Sequence, residues 1–192
     1  MLASKVNPQS AIHAFEPTPD IVSLLNENIH INNMHNVKVN AVAVGGGGEQ
    51  AVLRECRGSD GSNEGMNFVV AGDVGQEIGD LFLSIVSLDE YCHQHDIERI
   101  DILKMDIEGG EYEALTGARN LLKSQSIGCI FIEFSEWSAQ RSGHSTDELR
   151  SILQDAGYQL YHLTSGELKE AKREETLDGE NIVACVRGFN AN

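Results

Sequence analysis

Strand-like and helix-like segments alternate through the first two-thirds of this sequence, and that alternation constrains the fold more than any single motif. AIHAFEP, Ala11 to Pro17, alternates apolar and polar residues and then meets a proline, as a short strand does. In TPDIVSLLNENI, Thr18 stands where a helix cap belongs and Pro19 at the first helical position, with Val22, Leu25 and Ile29 on one face. VKVNAVAV (Val37 to Val44) reads as a strand running into GGGG. AVLREC follows, so the glycines predict a turn between strands. Ser87 and Glu90 have capping-box spacing, which starts a helix at Leu88. IDILKM predicts the next strand, Tyr112 to Ser124 a helix, and GCIFIEF (Gly128 to Phe134) another strand. Ser145 and Glu148 form a second capping box, for a helix ending at Gly157.

Such alternation predicts an α/β domain with a mainly parallel sheet. YQLYHL and NIVACV close the chain with only a charged connector between them, which predicts antiparallel neighbours. The connector, near residues 167–180, reads as a solvated loop or frayed helix. Residues 57–80, rich in Gly, Ser, Asn and Asp, read as a long surface excursion. The whole, residues 1–192, fits one domain with a sizeable core.

Charge narrows the partners. Lys and Arg number 14 against 30 acids, a formal net charge of −16. A chain that binds nucleic acid neutralises phosphates with Lys and Arg, and this one repels them, so a nucleic-acid partner is not expected. An anionic membrane surface is disfavoured for the same reason. No apolar run approaches a membrane span and no secretory signal opens the chain, so the expected setting is cytoplasmic. Cys56, Cys92, Cys129 and Cys185 form no C-x-x-C pair and read as buried reduced thiols.

Ligands of parallel α/β sheets bind beyond the carboxyl ends of strands, and two strands here end in acids. Glu16 closes the first; it can accept from both hydroxyls of a nucleoside ribose, or simply start the helix after it. The second end is the stretch IDILKMDIEGGE, Ile100 to Glu111. Ile100, Ile102, Lys104 and Asp106 alternate onto one face, with Asp106 about 7 Å beyond Lys104. A lysine in a covered strand needs a partner, and Asp106 and Glu133 are the candidates. Either the acids make a local ion-pair network, with Glu111 favouring a helix N-terminus, or they form a catalytic rim. In the rim one carboxylate deprotonates a substrate hydroxyl, or several hold a divalent metal; the residue types leave both open. His93 and His95 diverge at helical spacing and read as surface residues, His13 as a strand residue, and Tyr91 and Tyr112 as core. Trp137 and His144 follow GCIFIEF and can line an acceptor pocket, though a lone histidine is more often structural.

AFEPTP, VSLDEY, DILKMDIEGGEYEALTGA and IGCIFIEFS, in that order, resemble the FkbM-type methyltransferases, class I enzymes dependent on S-adenosylmethionine (SAM). The likeness runs from about Ser10 to Val186. Its specific part is the D-x-x-K-x-D-x-E-G-x-E string, into which Asp101, Lys104, Asp106, Glu108, Gly109 and Glu111 fall. The resemblance implies a Rossmann-like sheet whose last strands are antiparallel. It implies a cofactor-binding set of Phe15, Glu16, Asn40 and Asp106, in which Glu16 takes the ribose and Asp106 lies beside the methionine and methyl region. It further implies a catalytic rim of Lys104, Asp106, Glu108 and Glu111, an acceptor side with Glu133, Trp137 and His144, and methyl transfer to a hydroxyl of a small molecule or glycan. The family opens with a strand and a D-x-G-A-N-x-G-type turn ahead of the segment matching MLASKV, whereas this chain runs from Met1 almost directly to AFEP. The expectation is therefore a domain without that first strand, with a sheet gap that invites a homo-oligomer. Two other readings stay open: a non-catalytic interaction module that has lost its cofactor, and an NAD-type Rossmann oxidoreductase, whose ribose is also held by an acid after the second strand.

Overall fold

The computed structural model describes residues 7–47, 50–57, 63–71, 81–172 and 175–188. Residues 1–6, which hold MLASKV, lie outside them, as do Gly48, the last of the four glycines, and most of the non-apolar text of the 57–80 segment. The strands are β1 (Ile12–Phe15), β2 (Val37–Asn40), β3 (Ala43–Val44), β4 (Gln50–Arg57), β5 (Asn63–Ala71), β6 (Leu81–Val86), β7 (Ile100–Met105), β8 (Ile127–Phe134), β9 (Tyr158–Thr164), β10 (Glu167–Glu170) and β11 (Glu180–Val186). The helices are α1 (Pro19–Ile31), α2 (Leu88–Gln94), α3 (Glu111–Thr116), α4 (Arg119–Lys123), α5 (Glu136–Arg141) and α6 (Thr146–Asp155).

The main sheet has the order β10-β9-β11-β8-β7. β7 and β8 are parallel, while β11 is antiparallel to both β8 and β9, as the closing strands predict. β1 pairs with β2 and β3 with β6 in parallel, and β4 is antiparallel to β5 and β6. The architecture is thus mixed α/β rather than mainly parallel. The core lies on one face of the main sheet, where Ile130, Ile132, Phe134, Leu160 and Ile182 meet Leu115, Leu122, Leu149 and Leu153 from the helices. β8 can be apolar at almost every position because it lies between two strands, with most residues buried.

Four sequence expectations need correction. VKVNAVAV is two strands, because the chain leaves the β1–β2 pair after Asn40 and joins β6 at Ala43. The Gly/Ser-rich excursion contains β5, which closes a hairpin with β4. The charged connector contains β10, an edge strand whose residues are all exposed and which needs no apolar pattern. The helix expected over Tyr112 to Ser124 breaks into α3 and α4 at Gly117. A side chain at Gly117 would collide with the Gly45 carbonyl, so the backbones touch there. Asp89 then accepts from the amides of Asn120 and Leu121 and starts α4 anew.

Other local signals hold. Ser87 accepts from the Glu90 amide, and Ser145 and Glu148 form a complete capping box. Gly157 follows α6 at φ +89°, the left-handed position that glycine takes at helix ends. Cys92, Cys129 and Cys185 are free and buried, with Cys129 and Cys185 directly opposite one another on β8 and β11. Among the described residues no helix is long and apolar enough to cross a membrane.

Candidate functional site

The acids gather where β7 and β8 end. Ile102 lies in register with Cys129 and Lys104 with Phe131, so Lys104, Asp106, Phe131 and Glu133 share one face of the sheet, opposite the main core. Lys104 Nζ donates to Asp106 Oδ2 at 2.7 Å, the pairing that strand alternation predicts. Both side chains are exposed, so this pair contributes little to stability. Correspondingly, β7 is not the covered strand its sequence suggests. Ile102 is 63% exposed, and among the described residues β7 pairs only with β8.

Glu133 stands within electrostatic reach of the whole group. Burial pushes its carboxyl up from the ordinary carboxylate value; the charges of Asp106, Glu108 and Glu111 push the same way, and Lys104 opposes them. A carboxylate so tuned is better suited to accept a proton near neutral pH than an ordinary one. Antiparallel pairing also sets Asn181 opposite Glu133, a neighbour that residue spacing alone did not single out. Matching NIVACV antiparallel to GCIFIEF would have found it.

After Met105 the chain makes a tight turn. Glu108 has φ +55° and Gly109 φ +103°, so two consecutive residues are left-handed. Gly109 is required: a Cβ there would stand 2.5 Å from the Ser138 carbonyl oxygen. Ser142 Oγ donates to the Gly109 carbonyl at 2.7 Å, which ties α5 and its following loop to the turn. Glu111 lies behind the rim rather than on it. It is 4% exposed, and its two oxygens accept from the amides of Ile107 (2.9 Å) and Gly109 (2.8 Å). Burial raises its carboxyl above the usual range in spite of those amides.

The expected acceptor side divides. Trp137 on α5 is 54% exposed and one residue from Ser138, which packs on the turn. His144 is stacked on Tyr112, with ring centroids 3.5 Å apart, and its Nε2 meets Glu113 Oε1 at 3.1 Å. Its ring thus braces the α3 side. Among the described residues no group of three or more His, Cys, Asp and Glu is arranged to hold a metal ion.

The expected cofactor residues sit at the ends of β1 and β2. Glu16 Oε1 accepts from the Thr18 amide at 2.8 Å and so starts α1, for which Thr18 provides no side-chain cap. A carboxylate has further acceptor capacity, so this bond is compatible with a ribose hydroxyl. Asn40 is more committed. Its Nδ2 donates to Ala14 O at 3.1 Å, and its Oδ1 accepts from Tyr91 Oη at 3.0 Å. Tyr91 is the hub of this tie: His13 Nδ1 meets its hydroxyl at 2.7 Å, Phe15 packs edge-on at 4.7 Å, and His95 stacks at 4.1 Å. Phe15 and Asn40 therefore hold β1–β2 onto α2. Burial lowers the His13 pKa, and Lys38 and then His95 push it further in the same direction.

Comparison with known proteins adds to this geometry. The family model of the FkbM domain of methyltransferases matches residues 1–160. A crystal structure of a methyltransferase FkbM from Methylobacillus flagellatus KT is similar in fold, with a TM-score of 0.51 and 18% identity. The match covers 95% of this chain and 39% of that one, so the chain spans about two-fifths of its length. No curated protein matches the chain.

Proposed function

The chain belongs to the FkbM methyltransferase domain family, and on that premise we propose that it transfers a methyl group from SAM to a hydroxyl of a small molecule or glycan. SAM supplies an electrophilic methyl carried on a sulfonium. The observation that supports a hydroxyl acceptor is the rim itself, where Glu133 has a raised pKa beside Asp106 and Glu108. Methyl transfer is an in-line displacement, so the protein contributes mainly position, together with uptake of the hydroxyl proton. In this reading Glu133 takes the proton, Lys104 and Asp106 fix the charge at the strand end, and Trp137 offers an apolar wall. Glu16 accepts from the ribose.

Calorimetric titration of S-adenosylhomocysteine (SAH) into the chain tests the cofactor half. Binding is expected, and Glu16→Ala should weaken it roughly tenfold, the worth of one charge-assisted hydrogen bond. Because Glu16 also starts α1, Glu16→Gln is the control that keeps an acceptor for the Thr18 amide. Unchanged affinity in both variants would remove Glu16 from the assignment. Absence of SAH binding would favour the non-catalytic interaction module.

A further inference from the structure

Glu111 does something the catalytic reading does not use. A buried carboxylate is costly, yet this one makes both its closest bonds to main-chain amides two residues apart. Between those amides stands Glu108, a non-glycine residue at φ +55°. The left-handed conformation costs an ordinary residue about 1–2 kcal/mol and persists only where its surroundings impose it. Here the imposing group is identifiable. From these contacts we infer that Glu111 is a positioning residue: by gripping the amides of Ile107 and Gly109 it fixes the left-handed backbone at Glu108 and so sets where the Glu108 carboxylate stands at the rim.

Two further contacts fit this role. Ser142 holds the carbonyl of the same Gly109 whose amide Glu111 holds, so the turn is gripped from both sides. Gly110, at the cap position of α3, provides no side chain to do the work, and Glu111 reaches back from the first residue of the helix. Gln cannot replace it. A carboxamide has one oxygen, so its NH2 would face one of the two amides donor to donor.

The inference deepens the proposed rim and rests on that reading of Glu108 and Glu133. Its test uses ligand-free chain, so a silent SAH titration would sink the methyl-transfer reading and leave this one standing. The side-chain carboxyl carbons of the glutamates are followed by NMR against pH, with Glu133 assigned from Glu133→Gln. Glu108→Gln should lower the Glu133 midpoint. Glu111→Gln should lower it too, and by clearly more in the native background than in Glu108→Gln, because only there does it also displace a charged Glu108. Equal shifts in the two backgrounds would mean that Glu111 acts through its own charge alone, and would overturn the role. A second cycle reads urea midpoints. Glycine at 108 adopts a positive φ without strain, so Glu111→Gln, which in the native chain also releases the strain at Glu108, should cost more stability in Glu108→Gly than in the native chain. An equal or smaller cost in Glu108→Gly would likewise overturn it.

Discussion

The unit β1–α1–β2 and the main sheet are built to different standards. In α1 no residue is buried, and Ile21, Leu24 and Ile31 are 44, 57 and 65% exposed. In the main sheet Ile127, Ile130, Ile132, Phe134 and Ile182 are fully buried. The first unit is held to the rest by polar and aromatic contacts around Tyr91, the second by apolar packing. The difference bears on function because the two halves of the proposed site fall on different sides of it. Glu16 sits on the lightly packed unit, whereas Asp106 and Glu133 extend from strands of the packed sheet. Glu133 is thereby carried by a strand paired on both sides and Asp106 by one paired with β8 alone, while the ribose side depends on the contacts around Tyr91.

The largest expected effect breaks this contrast at its strongest point. Phe134→Ala should cost about 3–5 kcal/mol, the usual loss for an aromatic removed from a closed core. Leu24→Ala on α1 should stay within about 0.5 kcal/mol, as exposed positions do. Urea unfolding of both variants checks this; comparable losses would show that α1 is packed as the sheet is. Next in size is Gly109→Ala. It forces a side chain into φ +103° and against the Ser138 carbonyl, for a loss on the order of 2–3 kcal/mol centred on the turn.

How far the sequence foretold this contrast depends on what holds each element. Local chemistry was legible: the caps at Ser87 and Ser145, and the same-face placement of Lys104 and Asp106, are set by residues a few positions apart. The break at Gly117 was not, because its cause is the Gly45 backbone more than seventy positions away. β10 and β5 escaped for a related reason. Pairing with a neighbour makes them strands, and β10, a charged edge, shows no apolar alternation. Glu111 reads in the sequence either as an acid favouring a helix N-terminus, where it does stand, or as part of the rim. Only the two amides reveal that it faces inward.

Glu108→Gly sharpens the comparison in the opposite direction, since it should gain stability. Relief of the left-handed strain exceeds the added chain entropy of glycine, for a net of roughly 0.5–1 kcal/mol read as a higher urea midpoint at unchanged slope. A lower midpoint would mean that the Glu108 side chain makes contacts worth more than the strain. A gain in stability with loss of a rim acid is the trade expected where strain serves a site.

The smallest effect separates the two regions by pH. His13 has a depressed pKa in the folded chain, so between that value and 6.5 the unfolded state binds more protons. Stability contributed there is present above 6.5 and falls as pH drops below it. Glu111 and Glu133 have raised pKa values, so above 4.5 the folded state binds more protons. Their sign is reversed: they weaken the fold as pH rises through the raised values and are relieved as pH falls toward 4.5. Acidification from pH 7.5 to 5.5 should therefore loosen β1–β2 against α2 without a matching loss in β8, whose end carries Glu133. Amide exchange, corrected for its intrinsic pH dependence and followed by segment, reads this directly. His13→Asn should abolish the loosening at β1–β2 and leave β8 unaffected. If β1–β2 loosens equally in that variant, the tie around Tyr91 does not respond through His13, and the lightly packed unit owes its acid sensitivity to its thin apolar contact alone.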